Sequence, residues 1–360
     1  MENKFRTIAD RFALDAPAAR CERYGCGHIN ETYLLTTVSG RRYILQKINH
    51  HVFRDVAALM ENITAVTSFL SEHADDPRSV LHLVPTRDGG AYLSRPDGTF
   101  WRVYDFVEDA VCLQSPETPA DFYESAVAFG GFAQQLADFP ASTLHETIPR
   151  FHDTEDRYRI FRETLAADPT GRAGEAAPEI EFALARAEEA GTLVQLLQSG
   201  ELPLRVTHND TKLNNVMLDA KTRRALCVID LDTVMPGSSL YDFGDSIRFG
   251  ASTAAEDERD LSRVSLDPDR FRLYTRGYLS ACPGLTEMEM RLLPLGAKLM
   301  TLECGVRFLT DHLDGDHYFA VHRPGHNLDR CRTQFRLVAD MEEKWPLLSA
   351  IVREEAERRP

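Results

Sequence analysis

His208, Asp210, Lys212 and Asn215 stand in the order His-x-Asp-x-Lys-x-x-Asn, and a second carboxylate, Asp230, follows at the end of the apolar run Ala225–Ile229. A carboxylate, a cation two residues on and a neutral amide oxygen three further are the groups that phosphoryl transfer to a hydroxyl requires. That reaction asks a protein for positioning and charge compensation more than for covalent chemistry. In this reading Asp210 accepts the proton of the attacking hydroxyl, and Lys212, on the same side of an extended loop, offsets charge on the migrating phosphoryl group. Asn215 and Asp230 offer oxygen to Mg²⁺, a hard cation that prefers oxygen ligands.

The bland alternative is a polar loop between a strand and a hairpin. His-x-Asp alone is common by chance. The added Lys212 and Asn215, with Leu204 and Val206 before and Val216-Met217-Leu218 after, favour the chemical reading. His208 is expected to be structural. Asp232 lies on the same side of the chain as Asp230 and either assists it or does not. Asp242-Phe243-Gly244 also spells a metal motif, but it opens a helical pattern after Pro236-Gly237-Ser238-Ser239. Asp242 is therefore read as a buttress of the catalytic-loop backbone or a helix cap, not as a metal ligand.

Those groups need elements to deliver them. Glu31–Val38 and Arg42–Ile48 are β-rich runs split by Ser39-Gly40, a hairpin signal. Strands are also expected near Tyr92-Leu93 and over Trp101–Val107. A helix is expected over the first ~20 residues, and another over 55–70, where apolar residues recur at helical spacing. Beyond Glu108 helical patterns dominate, near 120–139, 154–166, 179–198, 240–250, 268–281, 286–313 and 328–358. Thr286 with Glu289 is a capping box, and Pro294 with Gly296 predicts a kink or break in the helix they occupy. The hairpin Val216–Leu218 and Ala225–Ile229 would carry Asp230 beside the loop. The expected fold class is α+β, with residues 1–107 a β-rich nucleotide-binding unit and 108–360 a helical unit holding the catalytic loop and acceptor site.

On the nucleotide side, Tyr24-Gly25-Cys26-Gly27-His28-Ile29-Asn30 precedes a strand and suits a shortened phosphate-cradling turn, because glycine lets backbone N–H groups approach phosphate closely. Gly25, Gly27 and Asn30 are its candidate contacts. Lys47 is either the cation for the α- and β-phosphates or a solvated strand lysine. If Gln46 points inward, strand alternation turns Lys47 away unless a bulge intervenes. Glu61 would be the partner of an inward Lys47. Backbone of Asp105, Phe106 and Val107 is the candidate adenine contact.

Composition bounds the rest. The 360 residues carry 41 Lys plus Arg against 56 Asp plus Glu, a formal charge of −15, which repels nucleic acid and anionic membrane. A mean hydropathy of −0.32 and the lack of any apolar run near the ~20 residues of a bilayer span point to a soluble chain. Met1–Arg6 lacks an apolar signal core. A cytoplasmic monomer is expected. The seven cysteines form no Cys-x-x-Cys pair, which suggests neither zinc nor a disulfide framework.

At longer range, Gly27-His28-Ile29-Asn30, Trp101–Tyr104, Phe151–Thr154, Arg205–Asn215, Ile229–Thr233, Asp242–Thr253 and Glu303-Cys304-Gly305 closely resemble the bacterial N-acetylhexosamine 1-kinases of the aminoglycoside-phosphotransferase-like family. The likeness runs through nearly the whole chain. It implies a bilobal protein-kinase-like fold, ATP and Mg²⁺ as cofactors, and phosphorylation of the anomeric hydroxyl of N-acetylglucosamine or N-acetylgalactosamine to the α-1-phosphate. It implies Asp210 as base, Asn215 and Asp230 near magnesium, and Arg307 and Tyr318 as sugar contacts with Asp210. An Arg fork and a Tyr ring suit a hydroxylated ring bearing an acetamide; otherwise Glu303 and Arg307 are a helix-surface ion pair. Asn30 or His28 could reach acceptor or phosphates.

Two competing readings are a kinase of another small hydroxylated metabolite or an aminoglycoside, and a dead kinase fold used for binding. The former predicts a dense acidic pocket for a polycation; the latter predicts loss of Asp210, Asn215 or Asp230, all of which are present. Only about nine residues separate Asp230 from the helix at Leu240, too few for the peptide-docking segment of a protein kinase.

Overall fold

The computed structural model describes residues 3–25 and 29–359. Helix α1 (Asn3–Ala9) is followed by the strands β1 (Ala18–Arg23), β2 (Glu31–Thr37) and β3 (Arg42–Ile48), helix α2 (Val56–Glu72), and the strands β4 (Leu93–Ser94), β5 (Phe100–Asp105) and β6 (Ala110–Cys112). The first helix is shorter than expected. It ends at Ala9, Phe12 bridges to Thr86, and the chain then enters the edge strand β1.

Strands β1-β2-β3-β5-β4 form one antiparallel sheet. Residues of alternate parity face opposite sides. Tyr43, Leu45, Trp101 and Val103 join Ile8 and Phe12 in one apolar cluster. Ile44, Ile48, Phe100 and Tyr104 face the other side, toward α2 and the apolar residues Val206, Leu231 and Val234. Asp55 caps α2 by accepting from Ala58 N–H at 3.0 Å, and Val56, Leu59, Met60, Ile63, Val66 and Leu70 form its buried stripe.

The rest is mainly helical: α3 (Pro119–Gln135), α4 (Thr154–Ala167), α5 (Ala177–Leu184), α6 (Ala187–Ala190), α7 (Thr192–Gln198), then after the catalytic segment α8 (Ser239–Gly250), α9 (Pro268–Ala281), α10 (Glu287–Asp314), α11 (His326–Glu343) and α12 (Trp345–Glu357). The expected helix over 179–198 is three short pieces, broken around Arg186 and Gly191. The one expected over 328–358 divides at Lys344. Pro346 sits in the first turn of α12, where its missing N–H costs nothing. Among the described residues no helix is long and apolar enough to cross a membrane.

The short strands β7 (Arg205–Thr207), β8 (Val216–Asp219), β9 (Ala225–Val228) and β10 (Met235–Gly237) carry the polar loops. Strand β7 pairs with β10, and β8 lies between β6 and β9. The capping box is present: Glu289 accepts from Thr286 N–H, and Thr286 Oγ from Glu289 N–H, at 2.8 and 3.1 Å. The same Glu289 carboxylate binds the Arg205 guanidinium at 2.7 Å, tying α10 to β7.

Helix α10 is continuous through Pro294, so of the kink or break expected there the break does not occur. The Pro/Gly pair marks a close crossing instead. A Cβ at Gly296 would lie 2.8 Å from the Leu240 carbonyl, and one at Gly244 would lie 2.5 Å from the Gly296 carbonyl. Backbone approach at this distance holds α8, and with it the catalytic loop, on α10.

Gly244→Ala should therefore lower the thermal midpoint, at a cost of about 1–3 kcal/mol from overpacking. Gly131→Ala, on α3 where nothing lies within 4 Å of the added atom, should leave the midpoint unchanged or raise it. Scanning calorimetry of the two variants checks the pair; equal effects would remove the close-crossing explanation.

Candidate active site

The catalytic loop hangs on one carboxylate. Asp242, in the first turn of α8, accepts from His208 N–H at 2.8 Å and Asn209 N–H at 2.7 Å, one on each oxygen. Its own carbonyl accepts from Thr211 Oγ at 2.7 Å. Burial pushes the Asp242 carboxyl up, while His208 and the two N–H donors pull it back. Asn209 adopts a left-handed backbone, φ +65°, and its amide donates to Thr233 O at 2.8 Å. His208 is fully buried and its Nε2 lies 2.8 Å from the Ile229 carbonyl. Asp242 is thus the buttress the sequence suggested, and His208 is structural.

This frame presents Asp210. Lys212 Nζ lies 2.7 Å from Asp210 Oδ1, and Asn215 Nδ2 donates to Asp210 Oδ2 at 3.0 Å and to its carbonyl at 2.8 Å. Burial opposes the charge of Lys212, but Asp210 and Asp245 outweigh it, so the ammonium stays above the ordinary lysine range. Asn215 commits its amide nitrogen to Asp210 and keeps its oxygen for another partner. The Asn215 carbonyl accepts from Ile229 N–H at 2.9 Å, which brings Asp230 alongside.

Asp230 also has a left-handed backbone, φ +61°. The residue keeps an exposed surface. Crowding by protein, then Asp232 and Asp210, push its carboxyl up to about 6, against the pull of Arg102 and His208. An under-neutralised carboxylate influenced by two others, with the Asn215 amide held on one of them, could offer oxygen to a divalent cation. Among the described residues no three His, Cys, Asp or Glu gather tightly enough to hold a metal alone.

The sheet side differs from expectation in one respect. Pairing of β3 with β2 and β5 is regular, so no bulge turns Lys47 inward. Lys47 shares the face of Tyr43 and Leu45, and its ammonium lies 2.6 Å from Glu31. Glu61 pairs with His145 at 2.7 Å instead of a strand lysine. The cation on the inner face is Arg102, opposite Gln46 in register. Its guanidinium is 1% exposed and lies 2.6 Å from Asp232, itself 3% exposed. Sequence reasoning missed Arg102 as a site residue; its parity with Gln46 across paired strands was the available signal.

Gly25 has a left-handed backbone, φ +71°, while Gly27 and His28 lie outside the described residues. Asn30 is buried, donates to Asp232 at 2.5 Å and accepts from Asn49 N–H at 2.9 Å. The Tyr24 ring meets Phe106 edge-on at 5.9 Å, joining this turn to the connecting segment. In that segment Asp105 N–H donates to the His82 carbonyl and Phe106 N–H to that of Arg42, so an adenine cannot use those two donors. Val107 is buried in the apolar cluster under the sheet.

On the far side of Asp210, Glu303 is 1% exposed and lies 3.0 Å from His152 Nδ1, but 3.9 Å from Arg307. Glu303 therefore serves His152 first, and the Glu303–Arg307 helix pair is secondary. The Arg307 guanidinium stands over the Phe151, Tyr318 and Phe319 rings at 5.5, 5.6 and 5.5 Å and donates to Tyr318 Oη at 3.3 Å. Buried His152 Nε2 and Arg157 Nε make no hydrogen bond with protein. Burial, then Arg307, lower the Arg157 pKa.

Residues 20–274 match the family described as phosphotransferase enzymes. Among solved structures, the chain is similar to an aminoglycoside phosphotransferase from Alicyclobacillus acidocaldarius, with TM-score 0.63, 14% identity, and 98% and 96% of the two chains covered. A microcompartment-associated aminopropanol kinase is similar at TM-score 0.57 and 16% identity, covering 96% and 98%. A spectinomycin phosphotransferase solved with ADP and spectinomycin is similar at TM-score 0.54 and 12% identity, covering 99% and 98%. At these identities the likeness is one of fold: a small antiparallel sheet and a large helical part, arranged as in small-molecule kinases.

The raised pKa of Asp230 has a measurable consequence in metal-free protein. Its carboxyl ordinarily titrates near 3.8 and here near 6, so the folded chain carries a penalty above about pH 6 that vanishes below about pH 4. Asp230→Asn should melt about 1–3 °C higher than the parent at pH 7.5, with the gap closing toward pH 4.5. A gap independent of pH would remove the electrostatic cause.

Proposed function

Because the chain belongs to the phosphotransferase enzyme family, we propose that it is an ATP-dependent sugar kinase that phosphorylates the anomeric hydroxyl of N-acetylglucosamine or N-acetylgalactosamine to give the α-1-phosphate. We read residues 1–107 as the nucleotide-binding unit and 108–360 as the unit carrying the catalytic loop and acceptor site. The single observation that carries the reading is the cluster in which Lys212 and Asn215 both hold the Asp210 carboxylate while Ile229 N–H on the Asn215 carbonyl brings Asp230 alongside.

In this mechanism the acceptor oxygen attacks the γ-phosphorus of ATP as the bond to the bridging oxygen of ADP breaks, and Asp210 takes the proton. Lys212 moves from Asp210 toward the transferring group, freeing one carboxylate oxygen for the acceptor hydroxyl. Asn215 and Asp230 would hold Mg²⁺, which when bound neutralises charge on the β- and γ-phosphates. The Asp105–Val107 segment would meet adenine through backbone groups other than the Asp105 and Phe106 N–H, which other carbonyls already hold, and Gly25, Gly27 and Asn30 would border the phosphates. Gly27 contributes by its place in the sequence alone.

A neutral sugar acceptor is favoured over a polycation by charge. Lys212, Arg157 and Arg307 line the same side as Asp245 and Glu303, and Asp245 is already matched by Arg248 at 2.8 Å. An aminoglycoside would need surplus acid there. The unpartnered His152 Nε2 and Arg157 Nε instead suit a neutral acceptor rich in hydroxyl and amide groups. The alternative, a kinase of another small hydroxylated metabolite, draws on the fold relatives.

The test is ³¹P NMR of product formed with ATP, Mg²⁺ and a panel of free sugars, amino alcohols and aminoglycosides. A phosphate coupled to the anomeric proton of an N-acetylhexosamine is expected; turnover of only another acceptor would overturn the sugar reading. Asp210→Asn should cut turnover by about 10²–10⁴-fold while nucleotide binding persists. Arg307→Ala should raise KM for the sugar more than KM for ATP, and an equal rise in both would argue against a sugar contact.

A further inference from the structure

The sheet of this chain has no lysine on its inner face at the position where the phosphotransfer reading needs a cation; Lys47 points the other way and is held by Glu31. The inner face instead carries Arg102, fully buried and spent on four groups. Its Nη2 lies 2.6 Å from Asp232, its Nε donates to Gln46 Oε1 at 2.9 Å, its Nη1 lies 3.9 Å from Met60 Sδ, and the guanidinium stands 5.2 Å from the Tyr104 ring. Gln46 in turn donates to Thr32 Oγ at 3.0 Å. Asp232 receives a second strong donor from the sheet side, the Asn30 amide at 2.5 Å.

We propose that Arg102 is a positioning residue for the metal site: with Asn30 and Asn62 it clamps the turn 230–234 against the sheet and so aims Asp230. Three observations support this role. Asp230 sits in a left-handed conformation, sparsely populated for a non-glycine residue and held only where neighbours over-determine it. The turn that follows is fixed from the sheet side at both ends, Asp232 by Arg102 and Asn30, and the Val234 carbonyl by Asn62 Nδ2 of α2 at 3.0 Å. Finally, the guanidinium is too deeply buried to reach a phosphate without leaving Asp232, so its task is done through Asp232. Asn30, at the end of the glycine-bearing turn, belongs to the same clamp, which makes the phosphate side and the metal side of the cleft one mechanical unit.

The inference rests on the phosphotransfer reading but not on the identity of the acceptor, so the experiment omits the acceptor. Calorimetric titration compares binding of ADP with Mg²⁺ and of ADP in excess EDTA, for the parent chain, Arg102→Lys, Arg102→Met and Asp232→Asn. Arg102→Met is expected to weaken MgADP at least tenfold and to change metal-free ADP by less than about twofold. Arg102→Lys, which keeps charge but loses the fork, should weaken MgADP to a similar extent. Asp232→Asn keeps an acceptor for the fork and should retain at least a third of the affinity. Should Arg102→Met fail to fold, the lysine and asparagine variants carry the comparison.

Equal weakening with and without Mg²⁺ would overturn the proposal in favour of a direct phosphate contact or a general loosening of the cleft. A lower thermal midpoint with unchanged MgADP affinity would overturn it in favour of a purely structural ion pair. A parent chain that binds neither form of ADP would instead strike at the kinase reading itself.

Discussion

A buried carboxylate gripping two backbone N–H groups is the constraint on which the loop from His208 to Asn215 depends. Asp242 is 3% exposed, and taking its charge out of water is costly unless it is fully hydrogen-bonded. The two N–H bonds from His208 and Asn209 are charge-assisted, each contributing about 1.5–3 kcal/mol, and they can form only if the loop turns sharply at Asn209. Loop shape and helix position are therefore one decision. That decision propagates, because Gly244, two residues further along α8, sets how closely α8 meets α10. The long helix carrying Glu303 and Arg307 is placed against the same α8 that holds Asp210 in position.

The same logic operates on the sheet side with opposite economy. The Arg102–Asp232 pair is nearly dry, and such pairs are weak sources of net stability, because desolvation consumes much of the attraction. A Met–Leu contact would serve a fold equally well there. What the ion pair adds is direction: a fork that can meet Asp232 and Gln46 at once specifies one rotation of the turn after Asp230. Asp230 itself is left under-neutralised next to Asp210 and Asp232. In the proposed kinase that imbalance is what a bound cation would answer.

The parts legible in the sequence were those set by local chemistry. The hairpin at Ser39-Gly40, the stripe on α2, the capping box at Thr286 and Glu289, and the loop from His208 to Asn215 each declare themselves within about a dozen residues. Asp242 was readable because it opens a helical pattern after Pro236–Ser239, whereas Asp230 closes an apolar strand run. The failures were long-range. The α1 boundary, the split near Lys344 and the continuity of α10 through Pro294 depend on what packs opposite, which periodicity cannot report. Arg102 was hidden inside a strand signal, and its partner lies 130 positions away at Asp232. Gln46 flagged the missing lysine, but only strand register shows which residue stands across from it.

Acceptor choice is decided where this fold is least committed. The similar structures include an aminoglycoside phosphotransferase, an aminopropanol kinase and a spectinomycin phosphotransferase. In the proposed sugar kinase, specificity comes from the groups beyond Lys212. In this chain the acids among those groups are already partnered: Arg248 pairs with Asp245, and His152 Nδ1 lies 3.0 Å from Glu303. Compensation leaves hydrogen-bonding directions rather than net field as the discriminating quantity. In the proposed sugar kinase, rejection of a wrong neutral acceptor rests on stranding buried polar atoms such as His152 Nε2, which is a sharper filter than shape alone. A cationic acceptor gains nothing from a surface whose acids are already spoken for. The −15 charge of the chain therefore does not mark a polycation site, because it is the local pairing, and not the total, that an acceptor meets.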